Sequence, residues 1–272
     1  MSELYGFDAY APREVAQRIE TVGVAKARLA TLPLLMLGVL AGAFIGLGAL
    51  AFLIVKADAT LGWAASQWLG GLVFALGLLL VVVAGAELFT GNNLLAMAWA
   101  DGRISTREVL RNWGWVCLAN GLGAAGLAVL VWASGQTGLN GGRLAQQVVH
   151  IALNKQALPW HEALWRGVLC NVLVCLAVWM AMAGRSVADK AVAIVPPIAT
   201  FVAAGFEHSI ANMFFFPLAM LVQAGGGAPA TPPVTFSGML GNLVPVIGGN
   251  LLGGSVLVGL TYHVIYRRGS AS

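Results

Sequence analysis

Gly85-Ala86-Glu87-Leu88-Phe89-Thr90-Gly91-Asn92 and Gly205-Phe206-Glu207-His208-Ser209-Ile210-Ala211-Asn212 decide the architecture of this chain. Gly, Glu and Asn recur in them at one spacing, 120 residues apart, and each string interrupts a long apolar run. Glycine accepts non-helical backbone angles, and Asn and Ser offer freed backbone groups a local partner, so both strings are read as breaks within helices. Non-helical backbone survives at membrane depth only where protein buries it or where it lines a cavity.

Outward from the two strings, six runs reach the roughly 20 apolar residues that a membrane-spanning helix needs. They are residues 34–55, 68–98, 113–133, 163–183, 191–222 and 241–266. The second holds a single acid, Glu87, and the fifth holds Glu207. The third and sixth echo one another as well, Ala119-Asn120-Gly121-Leu122-Gly123 against Gly249-Asn250-Leu251-Leu252-Gly253. The chain therefore reads as two halves of three spans. Three is odd, so the halves must insert with opposite orientation. The predicted fold is an all-α membrane protein with an inverted 3+3 repeat and broken second and fifth helices. Half-helix N-termini at the breaks would present free amides and the positive end of a dipole, which favour an anion.

Composition agrees with lipid as the solvent. Hydrophobic residues make up 59% of the 272 and charged residues 10%, against about 25% charged in soluble domains. The 35 glycines suit helices that approach closely without a hydrophobic driving force. Cys117, Cys170 and Cys175 lie within apolar runs and read as small packing residues, with no metal-ligand spacing. Lys and Arg are unevenly shared between the loops. Arg13, Arg18, Lys26, Arg28, Arg103, Arg107, Arg111, Arg185, Lys190, Arg267 and Arg268 fall on one side, and Lys56, Arg143, Lys155 and Arg166 on the other. By the positive-inside rule both termini are expected in the cytoplasm. The net charge of +4 then needs no nucleic-acid partner.

Ahead of the spans, Val15, Ile19, Val22 and Leu29 recur at helical steps among Arg13, Glu14, Arg18 and Glu20. This predicts an amphipathic helix from Pro12, on the membrane surface or against the protein's own mouth. Residues 1–30 are assigned to this cytoplasmic segment and 31–268 to the transmembrane transport domain. No signal peptide is read at the N-terminus, which lacks an apolar core.

Ala86-Glu87-Leu88-Phe89-Thr90-Gly91 and Gly205 through Met213 resemble the two signature loops of the formate/nitrite transporter family. The stretch Leu169-Cys170-Asn171-Val172-Leu173-Val174-Cys175-Leu176-Ala177-Val178-Trp179-Met180 is similar to that family's fourth helix. Ala183-Gly184-Arg185-Ser186, Asp189-Lys190 and Leu260-Thr261-Tyr262 resemble its formate channels more than its nitrite or hydrosulfide ones. The outer loop before the sixth span departs from the pattern, being shorter and free of charge. The resemblance implies an aquaporin-like protomer, a homopentamer with one pore per protomer, and a multi-pass location in the bacterial inner membrane. The implied substrate is a small monovalent anion, formate first, with nitrite or hydrosulfide as the alternative and protons as the coupled partner.

Site roles follow from position and from the resemblance together. His208 is the one histidine deep within a span; it is read as the central pore donor, against a buried neutral histidine satisfied by a neighbour. Thr90 is implied to face it across the path, against bonding its own broken backbone. Asn171 and Asn250 resemble pore-side polar residues, and interhelical hydrogen bonds are the competing reading. Phe74, Leu78, Leu88 and Phe201 match the family's apolar constrictions, although such residues are usually plain packing. Lys155 aligns with a basic residue of the outer vestibule, or is a solvated loop lysine. Glu87 and Glu207 are read as structural acids at the breaks, turned away from an anion they would repel. His150, His161 and His263 are assigned to loops or span ends.

Other classes fit less well. A haem-bearing subunit needs axial histidines deep in the bundle, and only His208 qualifies. A hydrolase would have to use the neighbours His208 and Ser209, which share a backbone and rarely face each other. An aquaporin would carry Asn-Pro-Ala loops, which are absent. No enzymatic activity, cofactor or metal is expected.

Overall fold

The computed structural model describes residues 9–229 and 232–267. The first eight residues of the N-terminal segment, and Arg268 with its basic-side assignment, lie outside them. The regular elements among the described residues are all helices, with no strand.

Helix α1 (Pro12–Ala27) starts where proline occupies the first helical turn and Glu14 accepts the Ala11 N–H. Next come α2 (Thr31–Lys56) and α3 (Trp63–Gly85), the latter ending in a π-helical turn. After the non-helical stretch 86–90, a 3₁₀ turn (Gly91–Leu94) leads into α4 (Leu95–Ala100). Then follow α5 (Thr106–Ala133), α6 (Arg143–Gln156) and α7 (Trp160–Ala183). The fifth apolar run divides into α8 (Val187–Ala203) and α9 (Ser209–Ala224), and α10 (Phe236–Tyr266) closes the order.

Five of these, α2, α3, α5, α7 and α10, are long and apolar enough to cross a membrane. The fifth run is split at 204–208 into pieces of 17 and 16 residues. Spans begin earlier than their apolar residues suggest, and for α5, α8 and α10 a side-chain cap sets the start. Ser105 and Glu108 form a reciprocal capping box that extends α5 back to Thr106, and Thr235 caps α10.

Close helix pairs are made by missing side chains. A Cβ at Gly123 of α5 would overlap the Val39 carbonyl of α2, and one at Gly42 would overlap the Asn120 carbonyl. Gly249 and Gly253 of α10 meet the Leu164 and Val168 carbonyls of α7 in the same way. Small residues thus bring α2 against α5 and α7 against α10 at backbone distance.

Helix α1 rests on the protein. Val15, Ala16 and Ile19 are buried with Leu94, Met97 and Trp179, beside the tilted rings of Tyr262 and Tyr266. Glu20, grouped with the polar face in the sequence, is fully buried and pairs with Arg267 at 2.7 Å. The loop after the third span also differs from expectation. Lys155 and His150 stand on α6, a helix whose Leu144, Ala145, Val148, Val149 and Ala152 are buried. The three cysteines are free, two of them buried.

Candidate functional site

Both breaks are built to one plan. Gly85 adopts φ 87° and Gly205 φ 70°, the left-handed region that glycine enters without a Cβ penalty. Beyond Gly85, the Glu87 N–H donates to the Leu37 carbonyl and the Phe89 N–H to Asn120 Oδ1. Asn120 Nδ2 donates in return to the carbonyls of Glu87 and Gly38. Beyond Gly205, the Glu207 N–H donates to Arg166 O and the Ser209 N–H to Asn250 Oδ1, while Asn250 Nδ2 reaches the carbonyls of Glu207 and Gly167. Each asparagine replaces the hydrogen bonds that a continuous helix would have supplied.

The carboxylates repeat as well. Glu87 Oε1 takes a 2.7 Å bond from Lys26 Nζ, and its Oε2 takes one of 2.7 Å from Asn92. Asn92 also donates to Asn112, which donates to the Lys26 carbonyl. Opposite, Lys155 Nζ stands 2.8 Å from Glu207 Oε1, Asn212 Nδ2 donates to Oε2 and to Asn242, and Asn242 donates to the Lys155 carbonyl. The two acids are 6% and 4% exposed at the side chain and fully matched, so their charge is cancelled where it lies. Lys155 is consequently an ion-paired group with little net field of its own. Lys26, Asn112 and Asn242 were not singled out in the sequence as site residues. Their partners lie 20 to 87 positions away, and spacing carries no signal at that range.

At the centre the breaks meet. Thr90 Oγ1 is 3.1 Å from His208 Nε2. The Ala211 N–H donates to His208 Nδ1 at 3.2 Å, capping α9. A neutral ring with an accepting Nδ1 carries its hydrogen on Nε2, so His208 donates to Thr90 and leaves the threonine hydroxyl hydrogen free to turn elsewhere. Phe201 stacks on the His208 ring at 5.8 Å, and Phe74 meets Phe201 edge-on at 5.7 Å. Asn171 lies behind, its Nδ2 within bonding distance of Thr90 O, Asn93 Oδ1 and Asn250 O, tying the two breaks together. Asn171 and Asn250 are fully buried, and neither lines a cavity described below.

Two cavities approach this centre. One, of about 500 Å³, is lined by Phe52, Lys56, Lys155, Phe74, Phe201 and His208 among others. The second, of about 480 Å³, is lined by Lys26, Leu37, Leu78, Glu87, Leu88 and Lys190 among others. Phe52 and Leu37 stand fifteen residues apart on α2, about 22 Å along its axis, so the cavities open toward opposite ends of the bundle. Between them is a gap of only about 10 Å³, walled by Phe74, Leu78, Leu88, Phe201 and His208, with Ile45, Val174 and Ile198. Phe74 and Phe201 close the first cavity; Leu78 and Leu88 close the second.

An all-helical membrane protein with two opposed cavities parted by a narrow apolar waist belongs to the class of channels and transporters. Within that class, the chain belongs to the formate/nitrite transporter family, whose model, described as "Formate/nitrite transporter", matches residues 13–264. Formate channel FocA of Escherichia coli K12 is 39% identical, over 96% of this chain and 96% of its own length. Formate channel FocB of the same strain is 37% identical over 93% of each. A solved pentameric formate channel with formate bound has 37% identity and a TM-score of 0.81, covering 87% of this chain and 98% of its own. An FNT family ion channel gives 31% identity and 0.83, covering 93% and 98%. These relatives are channels and transporters, not enzymes, and the protein is a multi-pass membrane transport protein.

Proposed function

We propose that the protein conducts small monovalent anions, formate foremost, through the waist at Thr90 and His208. The observation that carries this reading is the roughly 10 Å³ gap between two larger cavities, lined by His208, whose Nε2 bonds the buried Thr90 hydroxyl behind it. A bare anion loses its hydration between Phe and Leu side chains, at a cost of many kcal/mol unless donors replace the water. The free hydroxyl hydrogen of Thr90 is such a donor, and His208 holds the oxygen in place.

The proton-linked step belongs to the same proposal. A second proton on His208 can sit only on Nδ1, where it displaces the Ala211 N–H at a cost of about 1 kcal/mol, the worth of a helix cap. An arriving anion favours that charged ring. Transfer of the Nε2 proton to formate then breaks an N–H bond, forms an O–H bond, and leaves neutral imidazole and neutral formic acid to cross the second constriction.

Asn171, Asn250 and Asn120 act in this reading as clamps that keep the breaks open, with Glu87 and Glu207 locked in their ion pairs. The recurrence of the Lys–Glu–Asn–Asn network supports two inverted halves of three spans, the fifth crossing being α8 and α9 together. Both termini then face the cytoplasm, the bacterial inner membrane is the location, and the pentameric relative supports a homopentamer.

Purified protein in liposomes, loaded in turn with formate, nitrite and hydrosulfide, tests the proposal. Formate is expected to move fastest in both directions. Faster nitrite or hydrosulfide flux would reassign the substrate within the family, and no flux of any of the three would overturn the reading.

A further inference from the structure

The His208-side cavity is lined by Lys56, Lys155, Arg166 and Glu207 as its charged residues, with His150 and His208 as its histidines. Lys155 and Glu207 cancel at 2.8 Å. Arg166 is paired with Glu162 at 2.7 Å. Among the described residues, no carboxylate stands within ion-pair reach of Lys56. Its ammonium instead donates to a neutral group, Gln67 Oε1, at 2.6 Å. Gln67 is itself fixed, since its Nε2 donates to the carbonyl of Ala203 at the end of α8, just before the break.

The lysine stem is seated too. It passes over Gly70 of α3, where a Cβ would lie 3.7 Å from Lys56 Cδ, and its head stands 5.9 Å from the Phe52 ring. Phe52 packs edge-on against Phe215, over which Lys155 lies at 5.8 Å. One ammonium is therefore held half-buried in the wall, with a neutral partner on one side. Two of its three N–H groups remain to face the cavity.

We propose that Lys56, positioned by Gln67, is the anion-collecting site of the His208-side cavity. Its ligand class is the small monovalent anion on its way to Thr90 and His208. The lysine supplies the net positive charge that paired Lys155 does not, and concentrates anions at this mouth. This rests on the reading of the waist as an anion path, and two separate measurements keep the failures apart.

The first measurement is formate entry from the His208 side. Lys56→Gln is expected to raise the half-saturating concentration by at least about threefold at low salt, the Coulomb factor for one charge some 7 Å away in water. The maximal rate should hold, and the difference should vanish near 1 M salt. Lys56→Arg should behave as the parent, and Gln67→Glu, which leaves the lysine but gives it a carboxylate, should reproduce Lys56→Gln. The second measurement needs no permeant ion. A cysteine placed at exposed Asn154, also in the cavity wall, is modified with anionic and cationic methanethiosulfonate reagents. The anionic-to-cationic rate ratio should fall about threefold or more in Lys56→Gln. An unchanged ratio and unchanged half-saturation would overturn the proposal. A parent protein that carries none of the tested anions would sink the transport reading, and the reagent ratio alone would then decide for or against the lysine.

Discussion

At the scale of single residues, His208 has two duties that different substitutions separate. Its Nδ1 caps α9 and its Nε2 holds Thr90. His208→Phe keeps a ring for Phe201 to stack on but removes both nitrogens. It is expected to assemble, to lose about 1 kcal/mol of cap stability, and to lose most formate flux in both directions. His208→Asn keeps a good capping side chain and a hydrogen-bonding group but no titrating ring. It should recover the thermal stability lost in His208→Phe while remaining unable to carry a proton. Measured in liposomes, normal bidirectional flux in assembled His208→Phe would reduce the histidine to packing, and normal flux in assembled His208→Asn would remove the proton-transfer step while leaving its hydrogen bonds. The sequence exposed this residue because it is the one histidine far from a span end. It exposed Glu87 and Glu207 because lone acids in apolar runs must have partners. It did not expose those partners. Lys26 reads as one more basic residue at the cytoplasmic side, and nothing in its neighbourhood says that it reaches Glu87 sixty-one positions away.

At the scale of elements, the close pairing of α2 with α5 rests on Gly42 and Gly123, whereas Gly126, one turn further on, faces open space. Gly123→Ala should therefore cost about 1–3 kcal/mol by overpacking, or block assembly outright. Gly126→Ala should be neutral or stabilising by up to about 1 kcal/mol through helix propensity. Melting temperatures in one detergent compare the two. The docking of α1 has a pH dependence whose sign can be worked out. Burial pushes the Glu20 carboxyl above its ordinary 4.5, against the pull of Arg267. The docked helix thus binds the proton more tightly than the undocked one. Docking is firmest below pH 4.5 and weakens as pH rises through the elevated docked-state value. Protease protection of α1 should fall across that interval, and Glu20→Gln should flatten the profile. The breaks were legible in the glycines, since φ 87° and 70° at Gly85 and Gly205 leave little choice of residue. Helix α6 was not picked out, although Leu144, Ala145, Val148, Val149 and Ala152 recur at helical steps. That stripe was the available signal, but the segment lies between two apolar runs and is too polar to be a span.

At the scale of the whole molecule, the alternation of apolar runs and basic loops made the all-helical membrane architecture readable, and it is the ground for the proposed sidedness. The division of the fifth run into α8 and α9 shows why hydropathy alone is blunt there, since neither piece meets the length of a span. The proposed opposite insertion of the two halves has a direct test. Cysteines at Arg107 and Ala188 should react with an impermeant thiol reagent only from the cytoplasmic face, and cysteines at Ser134 and Gly227 only from the outer one. Reaction of Gly227→Cys from the cytoplasm alone would remove the inverted arrangement. A last consequence comes from who supplies the two lysines. Lys155 reaches Glu207 from α6, a helix tethered at both ends within the bundle, while Lys26 reaches Glu87 from α1, which leans on the bundle from outside it. In modular terms the proposed repeating unit is five helices long, an amphipathic helix followed by its whole and broken spans, and the exposed turn from Ser134 to Gly142 is the seam between two such cassettes. A builder who shortened the first cassette to its spans alone would leave Glu87 as a naked charge in its wall, so the leading helix is a structural member, not a trimming.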